Sequence, residues 1–104
     1  MKDQGFREIF KLDNLGLKQI NDTLRALWKK VMGGLDYRDR ELITFCFLAA
    51  QGGCEPQLTS HAAANLRLGN DKPLLIRVIS QCLPYIGYPR SLNALTCIDQ
   101  AATK

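Results

Sequence analysis

Residues 34–70 read GLDYRDRELITFCFLAAQGGCEPQLTSHAAANLRLGN, and their punctuation decides the fold class. Asp36 is a helix N-cap residue standing before a run free of Gly and Pro, so a helix is expected from Tyr37 to about Gln51. Its first turn is charged, through Arg38, Asp39, Arg40 and Glu41, whereas Leu42 to Ala50 is apolar almost all round. A helix without a polar face needs cover on several sides, so this one is expected to be the central core helix. Gly52-Gly53 breaks the chain. Pro56 then starts a helix running to about Leu68, because a proline's missing N–H falls where a first helical turn has no acceptor for it. Gly69 closes that helix at a left-handed cap.

Outward from this stretch the same signals continue. Ile20, Leu24, Leu27, Trp28 and Val31 recur at three- and four-residue spacings, one apolar stripe on a helix from Leu17 to Met32 that Gly33-Gly34 ends. Gly5 to Leu12 is a weak helix or an irregular arm. On the other side, Asp71 and Pro73 open a further helix through Leu75, Ile76, Val78, Ile79 and Cys82. Pro84 removes a helical donor and crowds the preceding turn, so that helix is expected to end or kink there. Tyr85-Ile86-Gly87-Tyr88-Pro89 reads as the turn into a last helix from about Pro89 to Ala101. Strand signals are nearly absent. The expectation is an all-α, compact bundle of about five to six helices in one domain spanning 1–104, with a helical arm (1–34) and a core region (35–100).

With 104 residues, 46% of them hydrophobic and 23% charged, the chain has an ordinary globular composition. A domain of this size buries only about two-thirds of its unfolded surface, so its stability margin is thin. No apolar run reaches the roughly 18 residues of a membrane span, and the N-terminal MKDQGFREIF lacks the apolar core of a secretory signal. A cytoplasmic location and no membrane partner are the expectations. The net charge is +4, but Arg and Lys are scattered from Lys2 to Lys104 rather than gathered into a stripe, which argues against a nucleic-acid partner. Arg38 and Arg40, two apart, point different ways on a helix and read as ion-pair partners of Asp39, Glu41 or a neighbouring subunit.

Four cysteines stand at 46, 54, 82 and 97. Without an oxidising compartment they read as free thiols, and with one histidine and no paired Cys motif no metal site or cofactor is expected. Cys46, Cys82 and Cys97 sit in apolar helical patterns as small hydrophobes. Cys54 differs, because it precedes a helix whose dipole favours the thiolate, although Glu55 next to it works the other way. His61 is the only histidine, four residues after Gln57 and four before Asn65, so the three share one helix face. A half-buried imidazole with polar neighbours suits proton transfer near neutral pH. On spacing alone, a structural histidine is the commoner outcome.

Taken in order, Leu35-Asp36-Tyr37-Arg38-Asp39-Arg40-Glu41-Leu42-Ile43, Leu48-Ala49-Ala50, Gln57-Leu58-Thr59-Ser60-His61, Ala64, Gly69, Val78-Ile79-Ser80-Gln81, Tyr85-Ile86-Gly87-Tyr88-Pro89 and Leu92-Asn93-Ala94-Leu95 resemble the carboxymuconolactone decarboxylase family, related to alkylhydroperoxidase D. The ordered set covers Leu35 to Gln100. The resemblance implies an alkylhydroperoxidase D-like helical fold assembled as homotrimers or homohexamers, and it makes His61 the leading functional residue. In decarboxylases of the family an acid stands four residues before the matching histidine; here that position is Gln57. In the peroxidase branch two cysteines precede the histidine by seven and four residues; Cys54 matches the first and Gln57 replaces the second. Leu74 and Arg77 occupy places where family members often carry glutamates.

Three readings follow from the resemblance. The leading one is a thiol-dependent peroxidase with Cys54 as nucleophile and His61 assisting proton transfer. Cys82, Cys97 or an external thiol reductant would then resolve the sulfenic acid. The second is a carboxy-lyase acting on a small carboxylated lactone or keto acid through His61. Gln57, Asn65 and Tyr85 are the candidates for binding or orienting the small-molecule substrate. The third is a non-catalytic oligomeric binding protein of the same fold.

Overall fold

The computed structural model describes residues 14–103. They form five helices and no strand: α1 (Asn14–Met32), α2 (Tyr37–Gln51), α3 (Glu55–Arg67), α4 (Lys72–Ile86) and α5 (Tyr88–Ala102). The all-α expectation is met. The arm expected between Gly5 and Leu12 lies outside the described residues.

Two compact units divide the chain, Met1–Gly34 and Leu35–Lys104. In the first, α1 carries an i,i+4 ion pair between Lys18 and Asp22 at 2.7 Å, and the ammonium beside it holds the Asp22 carboxyl below its usual range. The apolar stripe of Ile20, Leu24, Leu27 and Val31 forms as the spacing requires and is exposed.

In the second unit the caps fall where the sequence places them. The Asp36 carboxylate accepts from the Asp39 N–H at 2.9 Å and the Asp71 carboxylate from the Leu74 N–H at 3.0 Å, each satisfying a donor that the first helical turn leaves orphaned. Gly52 ends α2 with φ +73, and its N–H returns to Leu48 O at 3.2 Å. A Cβ there would stand 2.8 Å from the Arg90 guanidinium nitrogen Nε, so both the backbone and the space demand glycine.

Two expectations change. Pro84 does not end α4, which continues to Ile86; the expected five-residue turn shrinks to Gly87, whose N–H bonds Leu83 O at 3.0 Å. A proline in the last turn leaves only one carbonyl without its helical donor, so the helix absorbs it. Nor is α2 the central helix. That place belongs to α5, which packs against both α3 and α4 and buries Ser91, Ala94, Cys97, Ile98 and Ala101. Its small residues let neighbouring backbones approach closely. α2 lies mainly on α3, with Phe45 and Ala49 buried and Phe47 left 59% exposed. One small unit has too few helices to cover an apolar helix all round. Phe45, Leu58, Leu75, Ile79 and Ile98 centre the core, where burying each large side chain stabilises the fold by roughly 1.5–3 kcal/mol.

Candidate functional site

His61 stands in the middle of α3 with 37% of its side chain exposed, and its Nδ1 lies 2.8 Å from Glu41 Oε2 near the start of α2. The carboxylate is itself only 24% exposed. Glu41 shares a stripe with Phe45 and Ala49 at four-residue spacing, and those two are buried against the neighbouring helices. The core contact of α2 therefore turns Glu41 toward α3. With a carboxylate on Nδ1, the ring is fixed in orientation and its Nε2 is set apart for exchange with solvent or a ligand. No described residue hydrogen-bonds to Nε2.

Beneath this pair lies a closed amide network. Asn65, wholly buried one turn after His61, donates through Nδ2 to the Glu41 carbonyl at 3.0 Å and to the His61 carbonyl at 2.8 Å. Its Oδ1 accepts from Asn70 Nδ2 at 2.8 Å. Asn70 Nδ2 also reaches the Arg38 carbonyl at 3.0 Å, and its Oδ1 accepts from Arg38 Nη2 at 3.3 Å. Every polar atom of the Asn65 amide has a partner, as a group without water must. Asn65 thus clamps the backbone of both dyad residues and is out of a substrate's reach.

Within the chain, neither arginine pairs with Asp39 or Glu41. Arg38 binds Gly69 O and Asn70, whereas Arg40 donates to Leu35 O at 2.8 Å and lies over the Tyr37 ring at 5.6 Å. Glu41 goes to His61 instead. Sequence reasoning missed Glu41 because its partner is twenty residues away; the signal available was its place at the head of the Phe45–Ala49 stripe.

Cys54 is the N-cap residue of α3, but its side chain makes no capping bond to the helix. The thiol turns back and donates to Leu48 O, Sγ to O 3.3 Å. Burial pushes the Cys54 thiol up from its ordinary value, and the nearby charges of Glu55 and Cys97 add to the effect. The expected thiolate is therefore not favoured: a helix dipole helps only a sulfur that faces the free N–H groups, and this one faces a carbonyl. Cys54 stands outside the helix, seven positions before His61, an axial rise of about 10 Å were the whole stretch helical.

The other sequence candidates are dispersed. Gln57 is half-buried one turn before His61, with no hydrogen bond among the described residues. Tyr85, on the last turn of α4, is 88% exposed. Cys97 is buried on α5, with Sγ 3.7 Å from the Glu55 carbonyl, on the Cys54 side of the core. Cys82 is half-buried on α4, and the thiol it acts on is that of Cys46 rather than Cys54. All four thiols are free. Among the described residues, no group of three or more His, Cys, Asp or Glu side chains is arranged to hold a metal ion. No helix among them is long and apolar enough to cross a membrane. Open grooves run along α1 between Gly16 and Leu27, along α4 around Arg77 and Cys82, and between α3 and α5 around Thr59 and Gln100. None of the three is lined by His61.

The all-helical fold of the described residues is consistent with the comparison to known families. The model of the carboxymuconolactone decarboxylase family matches residues 17–100, and the chain belongs to that family. The match begins at Leu17, so it takes in most of α1 as well as the region from Leu35 onward. Neither the curated proteins nor the solved structures give a further match.

Proposed function

We propose that this chain is a proton-transfer enzyme of the carboxy-lyase type, acting on a small carboxylated lactone or keto acid through His61 held by Glu41. The observation that carries the reading is the 2.8 Å contact between His61 Nδ1 and Glu41 Oε2 on a partly exposed ring whose other nitrogen has no hydrogen-bond partner among the described residues. When the substrate's bond to its carboxylate breaks, carbon dioxide leaves and the electron pair passes into the adjoining carbonyl system as an enolate. The imidazolium returns a proton from Nε2 to carbon, and the half-exposed ring recovers a proton from solvent. Glu41 keeps Nδ1–H engaged throughout, so Nε2 is the nitrogen that changes state. Gln57, one turn away on the same face, is placed to orient the acid by hydrogen bonding but supplies no proton.

Self-assembly belongs to this reading. No groove described above reaches His61, and the second unit leaves Tyr37, Phe47, Tyr85 and Tyr88 more than half exposed. A second copy of the chain would cover such surface and give the dyad a wall against water. The thiol-peroxidase reading has less support, because Cys54 holds its proton at neutral pH.

The test runs two assays on one protein. Carbon dioxide release, and deuterium incorporation at carbon in heavy water, are measured over a panel of small lactone acids and β-keto acids. Hydroperoxide consumption is followed with a dithiol reductant. Turnover of an acid that is lost in His61→Ala and reduced in Glu41→Gln is the expected result. Hydroperoxide turnover lost in Cys54→Ser, with no acid consumed, would overturn the proposal.

A further inference from the structure

Away from the dyad, a second pair of reactive side chains meets where α2 packs on α4. Cys46, on α2, and Cys82, on α4, are both half-buried free thiols on helices that pack together, near enough for the Cys82 sulfur to act on the Cys46 thiol. They are thirty-six residues apart in the chain, so only the packing of the two helices brings them together. Cys82 also lines the open groove along α4, beside Arg77, Val78, Ser80 and Gln81. Cys46 does not line it. Of the two half-buried thiols, Cys82 is the one that opens onto this groove.

We propose that Cys46 and Cys82 form a redox site distinct from the histidine dyad, a dithiol that a small anionic disulfide oxidises to a cross-link between α2 and α4. The groove supplies the selectivity: Arg77 gives a positive charge, Ser80 and Gln81 give hydrogen-bonding groups, and no carboxylate lines the wall. A carboxylate-bearing disulfide of the glutathione type fits that chemistry.

The reaction proceeds by two exchanges. The Cys82 sulfur attacks one sulfur of the incoming disulfide, whose S–S bond breaks. The leaving sulfur takes up the proton that Cys82 loses, and a mixed disulfide remains on Cys82. The Cys46 sulfur then attacks that Cys82 sulfur, the mixed bond breaks, and the second small thiol leaves with the proton from Cys46. Two protein thiols have lost two electrons and the small disulfide has gained them. Access assigns the first step to Cys82. Burial, with the neighbouring Cys82 sulfur, pushes the Cys46 thiol up to about 11, so Cys46 is a slow nucleophile toward solutes and acts only once its target sulfur is beside it.

The experiment uses oxidised glutathione on the reduced full chain in a Cys54→Ser background, because trypsin leaves Cys46 and Cys54 in one peptide. Intact mass and peptide mapping then read the product. The expected product is two hydrogens lighter and carries a Cys46–Cys82 link. Adding Cys46→Ser should stop the reaction at a glutathione adduct on Cys82, and adding Cys82→Ser should suppress both adduct and link, with the helical circular dichroism signal retained in each. A link through Cys97, a first adduct on Cys46, or a folded chain that stays fully reduced in excess oxidised glutathione would overturn the proposal. Arg77→Ala tests the anion preference. It should slow adduct formation by glutathione several-fold more than by neutral hydroxyethyl disulfide, and equal slowing would remove the charge argument.

Discussion

The two halves of α3 treat their reactive side chains in opposite ways. In the middle of the helix, His61 has a carboxylate on one ring nitrogen, a partly exposed ring, and a wholly bonded asparagine fixing the backbone below. At the N-terminal end, Cys54 has a carbonyl for its proton, a carboxylate as its next neighbour and enough burial to resist ionisation. Both positions read as reactive in the sequence, but only one has surroundings that prepare it. Chemistry along a helix is set by what the neighbouring elements present, and α2 presents Glu41 to one residue and the Leu48 carbonyl to the other.

The sharpest way to break this contrast is to remove the prepared side chain. In the acid-turnover assay, His61→Ala should lower kcat by about 10²- to 10⁴-fold, the usual range for a positioned acid–base group. Glu41→Gln keeps the shape and an acceptor for Nδ1–H, so its loss should be smaller. If Cys54→Ser proved the more damaging change, the ranking of the two halves would be reversed.

Next in size is the network beneath the dyad. Asn65→Ala leaves Asn70 Nδ2 short of one acceptor and frees the Glu41 and His61 carbonyls from their clamp. A buried polar group stripped of its partner costs about 1–3 kcal/mol. Urea unfolding should register that loss, and turnover should fall in the folded variant because the two helices no longer hold the dyad in register. Undiminished stability would mean that water replaces the amide, so that the clamp is not what distinguishes this half of the helix.

A pH series gives a further, smaller effect from a thiol outside α3. Cys46 keeps its proton to about 11 in the folded chain against 9.0 for a free thiol. The unfolded chain therefore ionises first as pH rises, and the stability this group contributes is present below about 9 and lost on the way to about 11. Thermal midpoints should fall across that window, and Cys46→Ala should flatten the fall.

The helices were legible in the sequence because their signals are local. Asp36, Asp71, Pro56 and Gly69 act within a turn of where they stand, and the starts of α2, α3 and α4 and the end of α3 fall within two residues of those marks. Pro84 was misjudged because a proline's cost depends on how much helix remains after it. The ranking of α2 as the core helix failed for a related reason: apolar content says that a face wants cover, not that this unit has helices to spare. At the candidate site, His61 was singled out from the sequence and its partner Glu41 was not. Neighbours on one helix follow from its period, whereas a pair across α2 and α3 depends on how the stripe of Phe45 and Ala49 is docked.

The smallest effect tests the quiet half of α3 most directly. Burial is the main reason that the Cys54 thiol lies above its ordinary value, with the Glu55 charge second. Glu55→Gln removes the second cause and leaves the first, so thiol labelling at neutral pH should quicken by no more than a few-fold, read in a background lacking the half-buried Cys46 and Cys82. The sign matters. Deleting the carboxylate eases formation of the thiolate, so its pKa moves down toward the ordinary value and more of the reactive form exists at a given pH. A large acceleration would show that the helix terminus had been ready to activate the sulfur and that one carboxylate held it back, which would make the two halves of α3 alike. A slight one leaves the sulfur governed by its burial and by the Leu48 carbonyl, and the difference between the halves is then built into the packing of α2 on α3.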